Sequence, residues 1–311
     1  MKRSLKTTFL VSIVVLSVIL LGILTFFNTR NDSTSMETGV VNTLQEKAAY
    51  DADVVEKRMT NVAGRSESLG RIISAMPNYD IELLYTYMRS FVAADPIICG
   101  SGLWFAPNAY PGDEKWFGPY IFKDDSNKLE LTMDYSNEEY NYPQFAWYVE
   151  SIKGAEQVFW DEPAYDPVTK TSMMTSSYPI KHNGATVGVI TVDIGLQELE
   201  DYVREIKIGE HGFAFLVTQS GLMVAYKDDN MNMKDKIQDS ADKNMAAIGK
   251  EIMAVAPGGE VKNVESEAFG EDSYVSIAPI GASGLKLVAV APKADYSGAI
   301  TQAMLHCQST T

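Results

Sequence analysis

The sequence predicts an α+β protein built from an N-terminal transmembrane helix, a long amphipathic helix and two tandem antiparallel-sheet modules. Three observations carry this prediction. An uncharged apolar run occupies residues 9–27, a helical stripe of apolar residues follows up to about residue 76, and short β-type runs separated by Gly, Pro, Asn and Asp begin at residue 97. The helical patterns therefore precede the sheet patterns along the chain.

The apolar run predicts a membrane anchor. It reads FLVSIVVLSVILLGILTFF, 19 residues without a charge, and at about 1.5 Å per residue it spans roughly the 30 Å hydrocarbon core of a bilayer. Lys2, Arg3 and Lys6 precede it and an acidic body follows. The positive-inside rule therefore makes residues 1–8 a cytoplasmic basic tail and puts the body outside the cell inner or plasma membrane.

A cleaved signal peptide is the alternative interpretation of the same run. Its apolar core is usually about 7–15 residues long and ends in a small-x-small cleavage site. The run here is longer, and Thr25-Phe26-Phe27-Asn28 stands at its end. We therefore expect an uncleaved, single-pass anchor at 9–27.

The composition argues against two classes of protein. The chain has 41 acidic and 26 basic residues, a net charge of -15, and four of the bases lie in the first 30 residues. Nucleic-acid binding depends on Lys and Arg that neutralise phosphates, so the acidic body disfavours it. Two cysteines and three histidines without metal-ligand spacing disfavour a zinc site or a disulfide framework. We expect no metal and no cofactor.

The stripe after the anchor predicts one long helix, assigned to residues 28–79. From Met36 to Met76 apolar residues recur at steps of three, four and seven, and no proline interrupts them. Pro77 ends the pattern, and a second helix is predicted at 81–94. Because polar residues separate the apolar ones, we expect this helix to pack along one face and to mediate a homodimer.

A first sheet module is predicted at 80–195. Its clearest element is a hairpin in which strands at 175–180 and 187–192 flank Asn183-Gly184, residues that readily adopt the positive φ angles of a tight turn. Other β-type runs precede this hairpin from residue 97 onward. This part of the chain therefore contains an antiparallel sheet.

A second module is predicted at 208–295, after a linker helix at 196–207. The hairpin pattern recurs there at an offset of 100 residues: Pro179, Ile180, Gly184, Val187 and Ile190 are matched by Pro279, Ile280, Gly284, Leu287 and Val290. Self-similarity at a domain-sized spacing indicates two copies of one α+β module. Residues 296–311 are then a C-terminal tail. They contain no second apolar run of about 20 residues, so we expect the output domain to be absent from this chain.

Several motifs occur together in the order seen in one sensor family. They are Trp147-Tyr148, Trp160-x-Glu162-Pro163-x-Tyr165-Asp166, Thr175-x-x-x-Pro179-Ile180, Gly188-Val189-x-x-x-Asp193-Ile194-x-Leu196 and Gly209-Glu210-His211-Gly212-Phe213. With the anchor and the long helix, they resemble the double Cache sensor domains of bacterial methyl-accepting chemotaxis proteins and sensor kinases, over about residues 30 to 295.

The resemblance implies PAS-like sheets and a small-molecule pocket in the membrane-distal module, 80–195. Amino acids and amines are the ligands of such pockets. Members of the family that bind amino acids carry an Arg two residues before the Trp of the Trp-Tyr pair, where it clamps the ligand carboxylate. Here that residue is Phe145, and no Arg occurs between Arg89 and Arg204. A standard α-amino acid is therefore disfavoured.

The expected ligand is an amine or another cationic or zwitterionic metabolite. Aromatic faces and carboxylates both stabilise positive charge. The candidate ligand-binding residues are Tyr140, Trp147, Tyr148, Trp160, Tyr165, Asp166, Thr175 and Asp193. Plainer interpretations stay open: Asp193 as a strand end or helix N-cap, Asp166 as a turn residue, and the aromatic residues as core. Trp104 and Trp116 are assigned to packing.

The predicted function is a chemoreceptor-like sensor that binds a small molecule and passes a conformational change through the long helix. The alternatives are the sensor part of a histidine kinase or cyclic-nucleotide enzyme, and an anchored protein-binding scaffold without a metabolite ligand. An enzyme is not expected. The histidines occupy turns and the tail, and no GxxxxGK[ST] or GxGxxG phosphate loop is present.

Overall fold

The structure is a computed structural model that describes residues 5–154 and 156–297, with side chains from residue 35 onward except that of residue 282. Residues 1–4 of the predicted cytoplasmic tail and 298–311 of the predicted C-terminal tail lie outside the described residues. The helices are α1 (Leu5–Ala75), α2 (Ile81–Ala93), α3 (Ala146–Lys153), α4 (Leu196–Arg204) and α5 (Lys243–Met253).

Helix α1 is continuous from Leu5 to Ala75, so the predicted long helix is confirmed and joins the apolar run without a break. It ends before Pro77, since a proline disfavours helical geometry in the residue that precedes it. The side chains of the predicted anchor, 9–27, lie outside the described residues. Among the residues that are described, no helix is long and apolar enough to cross a membrane.

The apolar stripe of α1 packs against two sheets. Its buried residues are Leu44, Ala48, Ala52, Val55, Met59, Val62, Leu69 and Ile73. They belong to one core cluster that also contains residues of α2 and of both sheets. The predicted amphipathic face is therefore used within the chain, with the first sheet against the later half of α1 and the second sheet beside its earlier half.

The first sheet is antiparallel and contains seven strands in the order β3-β2-β1-β7-β6-β4, with β5 also paired to β6. The strands are β1 (Ile98–Phe105), β2 (Tyr120–Lys123), β3 (Leu129–Thr132), β4 (Phe159–Trp160), β5 (Ala164–Asp166), β6 (Thr171–His182) and β7 (Ala185–Gly195). The predicted hairpin is confirmed as β6–β7. Asn183 and Gly184 have φ angles of 51° and 82°, as the tight turn requires.

The two faces of the first sheet have different neighbours. Along β7, Ile190, Val192 and Ile194 belong to the core beneath α1 and α2. Thr191 and Asp193 alternate with them and line a cavity on the opposite face. This alternation excludes the interpretation of Asp193 as a helix cap, and the N-cap of α4 is Gly195.

The second sheet has five antiparallel strands in the order β10-β11-β12-β8-β9. The strands are β8 (Phe213–Val217), β9 (Met223–Val224), β10 (Lys262–Ser266), β11 (Ser273–Ile280) and β12 (Leu285–Pro292). One face joins the α1 core, and the other forms a separate cluster with α5 and Phe269.

The repeated hairpin pattern is a repeat of strand pairing but not of register. Pro179 pairs with Val189 in the first sheet, whereas Pro279 pairs with Lys286 in the second. Equivalent positions on the second strands of the two hairpins, β7 and β12, are therefore 97 residues apart. The predicted match of Val187 and Ile190 with Leu287 and Val290, which assumes 100 residues, is wrong. The reason is the turn: a 3₁₀ segment, Gly281–Ser283, replaces the two-residue turn of the first hairpin.

Candidate functional site

A cavity of about 610 Å³ opens on the face of the first sheet that is turned away from α1. This volume lies within the usual range of small-molecule sites. We call it the aromatic cavity. Its lining residues are Trp104, Tyr120, Tyr135, Tyr140, Phe145, Ala146, Trp147, Asp161, Glu162, Ala164, Tyr165, Asp166, Pro167, Met173, Thr175, Thr191 and Asp193.

Two glycines on β1 make room for the aromatic floor of the cavity. A Cβ atom at Gly100 would lie 2.1 Å from the hydroxyl oxygen of Tyr120, and one at Gly102 would lie 2.3 Å from the indole ring of Trp104. Both distances are far inside van der Waals contact. The two rings can therefore lie flat over β1 only because these positions carry no side chain.

Asp193 is the most deeply buried charged group of the cavity. Its side chain is held on β7 between Gly100 of β1 and Thr175 of β6, and the residue is only 2% exposed. The Tyr120 hydroxyl donates a hydrogen bond to Oδ2 at 2.8 Å. The other oxygen, Oδ1, is buried and has no hydrogen-bond partner among the described residues.

The environment of Asp193 favours its neutral form. Burial raises the pKa of Asp193 to about 7, while the hydrogen bond from the Tyr120 hydroxyl and the nearby hydroxyl of Thr175 act in the opposite direction. The Thr175 hydroxyl is near enough to lower the pKa of Asp193, but its geometry does not make a hydrogen bond to Oδ1. Asp193 is thus a carboxyl group that loses its proton near pH 7, and its Oδ1 can accept a hydrogen bond from a ligand.

Asp166 lies at the end of β5 and serves both a turn and the cavity wall. Its Oδ2 accepts hydrogen bonds from the Thr169 backbone N–H at 3.0 Å and the Thr169 hydroxyl at 2.6 Å, so the side chain closes the turn that follows β5. The Tyr135 hydroxyl donates to the same oxygen at 2.6 Å from across the cavity. Asp166 is therefore a turn residue, and it also lines the cavity.

Aromatic rings surround the space between the two carboxylates. Trp104 stacks on Tyr140 with ring centres 6.2 Å apart and contacts Trp147 at 5.0 Å. The Trp104 indole N–H donates to the Thr191 hydroxyl at 3.0 Å, which fixes the orientation of the ring. Burial raises the pKa of Tyr135 and Tyr140, so both phenols stay neutral hydrogen-bond donors.

The cavity wall is acidic. Asp161, Glu162, Asp166 and Asp193 line it, and the described residues contribute no Lys, Arg or His to the lining. Phe145, immediately before α3, occupies the wall position at which the family resemblance would place a carboxylate-binding arginine. Such a wall attracts positive charge and offers no cationic partner to a ligand carboxylate.

Six of the eight predicted site residues line the cavity: Tyr140, Trp147, Tyr165, Asp166, Thr175 and Asp193. Tyr148 does not, because it lies on the inner side of α3 and packs in the aromatic cluster behind the wall. Trp160 does not line the cavity either, because its side chain packs against the main core near the second sheet.

Several lining residues were not among the predicted ones. Trp104 was assigned to packing alone, yet it both packs and forms the floor of the cavity. Tyr120, Tyr135, Asp161 and Thr191 were not singled out. The Gly100-x-Gly102-x-Trp104 alternation indicates a face of β1 that must accommodate large rings, and this pattern could have identified the floor.

The two antiparallel sheets form tandem PAS-like modules, and the first of them carries the aromatic cavity. A protein-family model described as methyl-accepting chemotaxis protein-like, first PDC sensor domain, matches residues 84–201. A second, described as a Cache 3/Cache 2 fusion domain, matches residues 165–305. Together the two models cover residues 84–305, so this part of the chain is similar to Cache-type sensor domains of methyl-accepting chemotaxis proteins.

Similar curated proteins are chemotaxis receptors. McpC of Bacillus subtilis is 33% identical over 89 residues, which are 29% of this chain and 14% of McpC. PctB of Pseudomonas aeruginosa is 26% identical over 148 residues, which are 47% of this chain and 22% of PctB. Both are methyl-accepting chemotaxis proteins, and the aligned part is a small share of each receptor.

Solved structures show the same fold. The extracellular domain of a protein described as the histidine kinase mmHK1S-Z3 has a TM-score of 0.72 and 16% identity, covering 85% of this chain and 98% of that chain. The ligand-binding domain of the Pseudomonas aeruginosa amino-acid chemoreceptor PctC, in complex with GABA, has a TM-score of 0.57 and 20% identity, covering 81% and 99%.

Proposed function

We propose that the chain is a membrane-anchored extracytoplasmic sensor of the chemoreceptor type, and that its aromatic cavity binds a primary amine. One observation carries the proposal: the buried Oδ1 of Asp193 lacks a hydrogen-bond partner among the described residues and faces a cavity to which they contribute no basic side chain. A buried carboxylate that lacks a partner is costly. An ammonium N–H at Oδ1 would supply both the missing hydrogen bond and the missing charge.

The aromatic walls support a cationic ligand. The rings of Trp104, Tyr140 and Trp147 crowd the space beside Asp193, and ring faces attract cations. A quaternary ammonium would gain this attraction but could not donate to Oδ1. A primary amine makes both contacts, so we propose the N–H-bearing cation as the preferred class.

The ligand carboxylate is the point at which this chain differs from its amino-acid-binding relatives. PctC binds GABA, which carries an ammonium group and a carboxylate. Here the wall contains four carboxylates and no cation among the described residues, and Phe145 stands where the family uses Arg. A carboxylate on the ligand would therefore be repelled, so we place amines above amino acids.

A matched set of four compounds tests the proposal by isothermal titration of the full chain in detergent micelles. The set is 2-phenylethylamine, its N-trimethyl analogue, phenylalanine and 3-phenylpropionate, together with a wider panel of primary amines. We expect the strongest binding from primary amines, at least about tenfold weaker binding from the trimethyl analogue and phenylalanine, and none from the acid. No binding by any amine, or an anion as the strongest ligand, would contradict the proposal.

Amine affinity is expected to fall as the pH is lowered through 7. The amine needs ionised Asp193, and burial raises the pKa of Asp193 to about 7 in the empty cavity. At pH 8 the carboxylate is already ionised, whereas at pH 6 binding must first remove its proton. The dissociation constant should therefore rise about tenfold between pH 8 and pH 6. Titrations in buffers of different ionisation enthalpy at pH 6 should also show proton release, and an affinity that is constant over this range would contradict the role of Asp193.

The type of output is also a proposal. The relatives with sequence similarity are chemotaxis receptors, which favours a chemotaxis output. The structural similarity to a histidine kinase sensor supports the sensor part of a kinase as the second candidate. A scaffold without a ligand is less well supported, because an open cavity of about 610 Å³ with an unpaired buried carboxylate oxygen would then have no use.

The proposal includes the anchor at 9–27 and pairing of two copies along α1. The two sheets already cover the apolar stripe of α1, so pairing would use the opposite, polar face around Asp53 and Lys57. Resistance to alkaline extraction from membranes checks the anchor. Sedimentation equilibrium in detergent checks the pairing, and a monomer mass would contradict it.

A further inference from the structure

A short segment at one edge of the aromatic cavity also contacts the second sheet. This segment runs from β4 to β5, residues 159–166, and contributes Asp161, Glu162 and Asp166 to the cavity wall. The carboxylate of Glu162 extends to the turn between β8 and β9. Its Oε1 accepts from the Ser220 backbone N–H at 2.8 Å, and its Oε2 accepts from the Ser220 hydroxyl at 3.1 Å.

Ser220 is firmly attached to the second sheet. Its carbonyl accepts a hydrogen bond from the Gln238 side chain at 2.9 Å. The next residue, Gly221, donates to Thr218 at 3.1 Å and accepts from Ile237 at 2.9 Å. A displacement of Ser220 would therefore act on the 3₁₀ segment Ile237–Asp239, which packs against the second sheet through Ile237.

A buried lysine adds charge to this junction. Lys286 on β12 is only 3% exposed, and it pairs with Val217 at the end of β8, next to the same turn. Burial lowers the pKa of Lys286, and the attraction of Glu162 acts against this lowering. The charge of Glu162 thus acts on Lys286 without an ion pair between the two side chains.

Backbone hydrogen bonds connect the same segment to the floor of the cavity. The Asp161 N–H donates to the Thr175 carbonyl at 2.9 Å, and the Glu162 N–H donates to Asp161 Oδ1 at 2.9 Å. Thr175 is the strand partner of Asp193. The path from Asp193, which is proposed to bind the ligand, to Glu162, which contacts the second sheet, therefore has three steps: Asp193 to Thr175, Thr175 to Asp161, and Asp161 to Glu162.

We propose that Glu162 is a positioning residue that couples occupancy of the aromatic cavity to the second sheet. This inference rests on the proposed function, because it requires a cationic ligand. Glu162 lines the cavity, to which the described residues contribute no basic side chain. It also accepts a hydrogen bond from Ser220 and lies within electrostatic reach of Lys286. A cation in the cavity competes with Ser220, and with the more distant charge of Lys286, for the Glu162 carboxylate, so binding weakens the contact between Glu162 and Ser220.

Competition for one carboxylate must act in both directions. If the ligand weakens the junction, then removal of a junction partner strengthens ligand binding. Ser220 and Lys286 do not line the cavity, so substitutions there leave the ligand's direct contacts intact. If either substitution changes the affinity, the effect must be transmitted to the cavity through residues between the two sites, such as Glu162.

The test is a double-mutant cycle on the full chain in detergent, with 2-phenylethylamine as the probe. Ser220→Ala and Lys286→Met are each expected to lower the dissociation constant about 3- to 10-fold. In a Glu162→Gln background both effects should vanish. Ser266→Ala serves as the control, since its hydroxyl accepts from the Ala268 N–H within the second sheet, and it should leave the affinity unchanged.

Amide hydrogen exchange gives a second measurement of the same contact. The Ser220 N–H is itself a donor to Glu162, so the probe should accelerate its exchange in the wild-type chain and not in Glu162→Gln. Probe binding with unchanged affinity in Ser220→Ala and Lys286→Met overturns the inference and leaves the proposed function intact. Failure of the wild-type chain to bind any amine overturns both.

Discussion

Replacement of Asp193 by Asn is expected to abolish amine binding and at the same time to raise the melting temperature of the empty protein. Removing one partner of a buried charge pair usually costs about 3–5 kcal/mol, which corresponds to a loss of affinity of about 100-fold or more. In the empty protein, by contrast, the same substitution should increase stability, because the charge of Asp193 is unfavourable there. Its buried carboxyl has a pKa of about 7, far above the value of about 3.9 in an unfolded chain.

The stabilisation by the Asp193→Asn substitution should depend on pH. Because the folded-state pKa of Asp193 is raised, the wild-type protein loses stability as the pH rises from about 4 to 7 and no further above that. The shift of roughly three pKa units sets an upper bound of about 4 kcal/mol on the loss at pH 8. The substitution removes this loss, so the melting temperature of the variant should exceed that of the wild type most at pH 8, and the difference should shrink to roughly a third at pH 5.

Thermal denaturation at both pH values, combined with titration of the amine panel, measures the two effects together. Asp134→Asn is the matched control, because Asp134 is an exposed residue of the same sheet region. It should change neither affinity nor stability. An Asp193→Asn protein that binds amines like the wild type, or that is less stable at pH 8, would contradict the assignment of Asp193.

Replacement of Gly70 by Ala is expected to destabilise the protein strongly. Gly70 lies where α1 crosses the back of the first sheet, and an added Cβ would come within 2.3 Å of the Tyr178 ring and 3.2 Å of Ile190 Cγ2. Tyr178 is itself 3% exposed and cannot swing outward freely. Overpacking of this kind costs about 1–3 kcal/mol, and we expect the upper part of that range.

The same helix provides the control. A Cβ at Gly39 would meet nothing within 4 Å, so Gly39→Ala should gain up to about 1 kcal/mol from the higher helix propensity of alanine. Urea denaturation of the two variants gives the comparison. Equal effects of the two substitutions would show that α1 does not rest on the first sheet at Gly70.

This contact also bears on signalling. Gly70 lies close to Ile190, and the next residue on β7, Thr191, lines the aromatic cavity. A ligand that moves β7 would therefore act on the packing of α1, which is the element that leads towards the proposed anchor. A ligand shifts this packing only to the extent that it binds one arrangement more tightly than the other.

Local patterns were sufficient for much of the architecture. The stripe of apolar residues predicted α1 because helical periodicity places every third or fourth residue on one face. Asn183-Gly184 predicted the β6–β7 hairpin because few other pairs accept two successive positive φ angles. Motif order was sufficient for five of the predicted residues that line the cavity, Trp147, Tyr165, Asp166, Thr175 and Asp193, whereas Tyr140 lies outside these motifs and was predicted from the clustering of aromatic residues.

Other features depend on contacts between distant parts of the chain. Helix α3, which carries Trp147 and Tyr148, was not predicted, because its eight residues have no strong periodicity. Trp160 was assigned to the site by its motif, yet its side chain packs against the main core and does not line the cavity. The floor of the cavity required the pairing of β1 with β2, which sets Tyr120 opposite Gly102 and over Gly100.

The overall negative charge, the helix and strand order, the hairpin turn and the family resemblance follow from neighbouring residues, because periodicity and turn geometry act over a few positions. The aromatic cavity, the unpaired oxygen of Asp193 and the contact of Glu162 with Ser220 follow only from tertiary structure. Each brings together parts of the chain that lie far apart in sequence, such as Gly100 and Asp193 on paired strands. Their burial, and hence their charge state and partners, is set by packing that no local pattern specifies.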